Sequence, residues 1–147
     1  MSQGMNQAAF VQLLVTADTL DAANRLISGL RSAGVPVRSA STADARELGN
    51  LLARGPWDVL VSYASERLPP TAVLAALTQA EVDLPVLCVG AAPVTPTANL
   101  RESVGADANE HLLAAVRREA EISQLKRRLR QLELQQRELE DRGQLHR

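Results

Sequence analysis

Asp58-Val59-Leu60-Val61-Ser62 is the stretch on which the fold turns. It is short, apolar and rich in branched side chains, the pattern of a buried strand. A loop with Pro69-Pro70 follows, then an alanine-rich helical segment from Thr71 to Ala80. Prolines suit the first turn of such a helix, where a missing N–H costs nothing. On the upstream side, Ala45, Leu48, Leu51 and Leu52 form one face of a helix that Ser41, Thr42 or Asp44 can cap and Gly55-Pro56 closes. A strand thus sits between two helices.

The same alternation extends to both sides. Phe10-Val11-Gln12-Leu13-Leu14-Val15 reads as a first strand. Asp18 or Thr19 caps the helix after it, with Leu20, Ala23, Ile27 and Leu30 on one face and Gly34 as its stop. Val35-Pro36-Val37-Arg38-Ser39 is a short second strand, whose proline suits a sheet edge or a strand start. Downstream, Leu84 to Val89 is a fourth strand, Gly90 to Pro96 a loop, and Thr97 to Val104 a weak helix. From Glu110 a helical pattern runs almost to the end. Strands alternating with helices at this spacing predict a parallel sheet covered on both faces. The division expected is a flexible segment at 1–9, an α/β body at 10–116 and a separate helix at 117–147.

Composition limits the function classes. Hydrophobic residues make up 46% of the chain and aromatics 2%, namely Phe10, Trp57 and Tyr63. The core is therefore aliphatic, and surfaces for stacking bases or sugars are not expected. The net charge of −1 gives no general pull toward nucleic acid or membrane. It is unevenly spread: residues 1–116 carry 7 basic and 11 acidic side chains, residues 117–147 carry 9 and 6. Cys88, alone in its apolar run, reads as a buried small hydrophobe. There is no leader pattern and no apolar run long enough for a membrane span, so a cytoplasmic protein is expected.

The final segment is the most regular. Ile122, Leu125, Leu129, Leu132 and Leu139 fall at a/d heptad spacing, with Gln136 at one core position. A body of this size cannot cover that stripe, so a homodimer through the helix is expected. The basic run Lys126-Arg127-Arg128-Leu129-Arg130 interleaves with the seam instead of preceding it, which argues for solvated flanks over a zipper-type DNA contact. Nucleic acid is not the expected partner, and a DNA-associated regulator using this helix stands as the alternative.

The element order, with Leu13-Leu14-Val15, Trp57 to Ser62, Asp83-Leu84-Pro85-Val86-Leu87 and Gly105-Ala106-Asp107, resembles the receiver domains of two-component response regulators. The resemblance implies a flavodoxin-like (CheY-like) doubly wound sheet with chemistry at the strand carboxyl ends. In that family two adjacent acids hold Mg²⁺, an aspartate ending the third strand accepts phosphate, and a hydroxyl residue and a lysine contact the phosphoryl oxygens. Here Thr16 and Ala17 stand at the acidic pair, with only Asp18 beyond. Tyr63 stands at the acceptor and Gly90 at the hydroxyl position. The one lysine is Lys126, far along the last helix. One carboxylate is a poor Mg²⁺ site and a phenol forms no acyl phosphate. The site is therefore expected to be degenerate, with no metal, no cofactor and no enzyme activity. Asp18 is read as a helix cap, Tyr63 as a plug for the vacated pocket, and His111 and His146 as solvated.

Two further expectations follow. The chain goes from Gly105-Ala106-Asp107 straight into a helix, so the fifth strand of the family is expected to be missing. The His111-Leu112-X-X-X-Val116-Arg117-Arg118-Glu119 stretch and the helix beyond it resemble phospho-acceptor-less receiver-like domains at the start of multidomain bacterial cyclic di-GMP signalling proteins, some linked to type IV pili and twitching motility. That implies a module relaying a protein- or ligand-binding signal to downstream domains.

Overall fold

The computed structural model describes residues 10–90, 99–105 and 109–145, with the side chains of the last helix to Arg142. The expected flexible segment at 1–9, most of the expected loop and the start of the weak helix at 91–98, Ala106 to Ala108 and His146 lie outside the described residues. The elements in chain order are β1 (Val11–Thr16), α1 (Leu20–Ser32), β2 (Val37–Thr42), α2 (Ala45–Arg54), β3 (Val59–Tyr63), α3 (Pro70–Ala80), β4 (Val86–Val89), β5 (Leu100–Val104) and α4 (Asn109–Leu145). The strands form one parallel sheet in the order β2-β1-β3-β4-β5.

Each face of the sheet carries its own core, because successive strand residues point to opposite sides. Leu13, Val15, Val59, Val61, Leu87 and Val89 pack against α1 and α4 through Ala23, Leu26, Leu30, Leu112, Ala115 and Val116. Leu14, Leu60, Val86 and Cys88 face α2 and α3 through Leu48, Leu51, Leu52, Val73, Leu74 and Leu77. Burying each of these valines and leucines contributes about 1.5–3 kcal/mol before the entropy of ordering it is subtracted. On the first face, α1 comes so close to α4 that a Cβ at Gly29 would lie 3.3 Å from a Leu113 methyl. A side chain there would require the Leu113 side chain to give way by a few tenths of an ångström.

Local signals place the ends. Gly34, at φ +85°, turns the chain after α1, and the Val35 amide donates to the Leu30 carbonyl at 2.9 Å. Pro36 precedes the edge strand β2, where its missing N–H is harmless. The Asp44 carboxylate caps α2 by accepting from the Glu47 amide at 3.1 Å.

The fifth strand is present, against expectation, and it lies before Gly105, not after. Leu100 to Val104 form it, where a weak helix was predicted. Its inward and outward residues alternate with period two, but the outward ones are Arg101 and Ser103, so composition hides the strand. Asn99 fixes its start: the side-chain amide donates to the carbonyls of Val82 and Leu84, both at 3.0 Å. Residues 90–99 link β4 to β5, fewer than the roughly dozen residues of an ordinary parallel crossover.

The last helix is continuous over 37 residues, about 55 Å at ~1.5 Å per residue. Its first turns bury Leu112, Ala115, Val116 and Ala120. No helix among the described residues is long and apolar enough to cross a membrane.

Candidate functional site

The carboxyl ends of β1, β3 and β4 meet at a cavity of about 310 Å³, and the structure brings four of the five expected positions onto its wall: Ala17, Asp18, Tyr63 and Gly90. The fifth, Thr16, ends β1 beneath it with a buried hydroxyl that has no partner; the hydroxyl of Ser62, its register partner on β3, shares that condition. Asp18 supplies the single carboxylate of the lining. It does not cap α1. The N-cap residue is Thr19, whose side chain makes no cap hydrogen bond. Asp18 instead accepts from the Ser65 hydroxyl, and Ser65 Oγ accepts from the Leu68 amide at 3.0 Å. The contact ties the end of β1 to the segment linking β3 to α3.

Tyr63 lines this cavity and also a second one of about 390 Å³ between α1 and α4, which Leu26, Gly29, Asn109 and Leu112 help to enclose. Tyr63 is partly buried and packs on the core, on the border of both spaces. Arg25 borders both cavities. Burial pushes the Tyr63 phenol above its ordinary 10.0, and the Arg25 charge opposes that shift. Tyr63 is the only tyrosine, so an ultraviolet absorbance titration reads it alone. The expected midpoint lies above 10.0, and Arg25→Ala is expected to move it higher. A midpoint at or below 10.0 would show an open, wet ring. The Cys88 thiol is likewise pushed up by burial, which suits an inert core residue.

At the opposite end of the sheet lies a site that local sequence patterns do not announce. Asp58, just before β3, is fully buried. Its Oδ2 accepts from the Gln12 amide at 2.8 Å and from the Gln124 side-chain amide at 3.1 Å. Its Oδ1 faces Arg127 Nη2 at 2.5 Å, an ion pair without an aligned hydrogen bond. Around it, Ser123 Oγ donates to the Asp58 carbonyl at 2.6 Å, and the Gln124 amide also reaches the Phe10 carbonyl at 3.3 Å. These contacts pin α4 to the amino edge of the sheet. Arg127, expected on a solvated flank, therefore closes a latch. The partners of Asp58 lie 46 to 69 residues from it along the chain, so spacing could not reveal them.

A second polar network ties α4 to the edge strand. His111, expected to be solvated, pairs with Glu102 on β5. Glu102 also accepts from Arg118 Nη2 at 2.9 Å, while Glu119, nearly buried, faces Arg101 at 3.6 Å and Arg118 at 3.4 Å. The hydrogen bond from His111, then that from Arg118, holds the Glu102 carboxyl below the ordinary carboxylate range. Three residues of the 111–119 stretch thus hold the last helix on the sheet.

Beyond the latch the helix stands clear of the body. Leu125, Leu129, Leu132 and Leu139 are 54–65% exposed and Ile122 is 39% exposed. In heptad terms Ser123, Gln124 and Arg127 occupy b, c and f, the side opposite the a/d row. The body grips the back of the helix, and from Leu125 onward the seam points away, while Ile122 borders a crevice shared with Trp57. Leu134, also exposed, lies off the seam at f.

A parallel five-stranded sheet in this order, wound by helices on both faces, is the flavodoxin-like class of doubly wound fold. Within that class the chain has the CheY-like receiver fold. No protein-family model and no curated protein matches the sequence significantly. The likeness to solved structures is clear: the receiver domain of Francisella response regulator 1452 is 16% identical, with a TM-score of 0.62 over 77% of this chain and 98% of that one. The signal receiver domain of an HD domain-containing protein from Pseudomonas fluorescens Pf-5 is 18% identical, with a TM-score of 0.65 over 78% and 98%. A CheY-like receiver domain protein from Methanospirillum hungatei JF-1 is 12% identical, with a TM-score of 0.65 over 77% and 96%.

Proposed function

We propose that this chain is a non-catalytic relay module of the cytoplasm: a receiver-fold body that senses a protein or small ligand, pairs with a second copy through α4, and passes the change to domains beyond the helix. The exposed leucine row facing away from the latched side of α4 carries this reading. A helix held so firmly by one face, with an apolar stripe on the other, is built to bring two bodies together. The strand-end site supports a trigger other than phosphate. Its one carboxylate is engaged by Ser65, and a phenol stands where an acyl phosphate would form. The DNA reading is weaker, because Arg127 of the basic run is committed to Asp58.

One solved neighbour is the receiver domain of a protein that also carries an HD domain, which fits a receiver-fold unit acting on an attached domain. The cyclic di-GMP and type IV pilus setting is the one we propose on the resemblance of His111 to Glu119.

Sedimentation equilibrium tests the pairing. The full chain is expected to dimerise as concentration rises, and the double variant L129D/L132D to remain a monomer, since buried like charges oppose pairing. A full chain that stays monomeric at every concentration would sink the relay reading. Incubation with acetyl phosphate and Mg²⁺ tests the trigger: the intact mass is expected to stay unchanged, and a phosphoryl adduct would show a living site.

A further inference from the structure

Resting on that pairing, the side chains around the seam fix its direction. We infer that two copies of α4 pair in parallel and in register from Ile122 to Leu139, with the two Gln136 side chains meeting across the axis.

Three observations converge on this arrangement. The first is Gln136, the one polar residue of the seam. In a parallel register each a residue meets its own counterpart, so the two carboxamides face one another and each can donate and accept. In an antiparallel pair every a residue faces a d residue, and the d positions Leu125, Leu132 and Leu139 are all leucine. Gln136 would then bury its amide against a hydrocarbon wall in both copies, at about 1–3 kcal/mol for each unsatisfied group.

The second is the charge pattern beside the seam. Glu121, Arg128 and Gln135 occupy g, and Lys126, Glu133 and Glu140 occupy e. A parallel pair sets each g residue beside the e residue five positions on in the other copy. That joins Glu121 to Lys126 of the second copy and Arg128 to Glu133 of the second copy. Gln135 beside Glu140 is neutral against charged, so no like charges meet. Such pairs add little stability but select the register.

The third is access. Ser123, Gln124 and Arg127 hold the body behind the helix. This places the two bodies on the outer sides of the pair, with Ile122 and Lys126 alone of the seam and its flanks bordering the crevice beside Trp57. Parallel pairing also sends both carboxyl ends the same way, which a relay into a shared output pair requires.

Cysteines at the ends of the seam distinguish direction from pairing itself. The full chain carrying Leu139→Cys is expected to form disulfide-linked dimers under a glutathione buffer, because each Leu139 meets its counterpart. A mixture of Ile122→Cys and Leu139→Cys chains is expected to give only the two like-with-like dimers, because the ends of an antiparallel seam would join unlike chains. Cys88 is 1% exposed, so the unaltered chain is the blank. Predominantly mixed dimers would overturn the parallel arrangement while leaving the pairing intact. No disulfide in a chain that sediments as a dimer would also overturn it, by moving the interface elsewhere. A chain that sediments as a monomer defeats the pairing on which the inference rests. In a second variant, Gln136→Leu, direction is expected to relax, so that mixed dimers appear beside the like-with-like ones. If they do not, Gln136 is not the selector.

Discussion

Arg127→Ala is expected to lower the unfolding free energy by about 2–3 kcal/mol in urea denaturation. The Asp58 carboxylate is fully buried, and the guanidinium is its only charged partner among the described residues. Removing one member of a buried pair leaves the other charge uncompensated, at about 3–5 kcal/mol in a dry site. Arg127 is 34% exposed, so water enters the gap and the loss falls below that range. Asp58→Asn costs less, because the orphaned guanidinium reaches solvent while the new carboxamide still accepts from the Gln12 amide. The double variant should cost clearly less than the two single effects added, as contacting partners do. Arg128→Ala, one residue on at a flanking position, is the control. If it matches Arg127→Ala, the latch contributes nothing.

Leu60→Ala is the larger effect, about 3–4 kcal/mol. Leu60 lies on β3, the central strand between β1 and β4, and is fully buried against α2 and α3. Its truncation loses the transfer of the missing carbons and leaves a cavity that a central strand cannot close by shifting. The change sits on the sheet face away from α4, so it should weaken the fold by a similar amount at every protein concentration. A seam variant should instead alter apparent stability in a concentration-dependent way, because a dimer is stabilised by mass action. A Leu60→Ala loss under about 1 kcal/mol would mean that the core repacks far more freely than this sheet allows.

How far the sequence reached depended on whether a signal was local. The Val59-Leu60-Val61 run and the heptad leucines carry their pattern in consecutive residues, and both the central strand and the long helix follow from it. Leu100 to Val104 carries no such pattern. An edge strand needs apolar groups on one side only, and Glu102 dilutes even those while Arg101 and Ser103 occupy the outward side. Mistaking that strand for a weak helix sets Gly105-Ala106-Asp107 before a strand that it actually follows. The expected site positions come from the family resemblance and not from any local pattern, and four of them line one cavity. Their partners were not legible. Asp18 meets Ser65 across 47 residues, and Ser123 meets Asp58 across 65, so only the folded sheet defines those pairs.

The chain has one tryptophan, and the fold has put it beside the latch. Trp57 donates its indole N–H to the Leu51 carbonyl at 2.7 Å, and its own carbonyl faces Arg127 Nη1 at 3.5 Å. The indole borders the same 210 Å³ crevice as Ile122, Ser123, Lys126 and Arg127. Lifting the helix from the sheet would wet that ring and withdraw the nearby cations. The protein therefore carries a built-in optical probe of helix attachment. Its intrinsic emission should redden and change in quenching by iodide when the helix detaches, with no dye attached and no other indole to blur the signal.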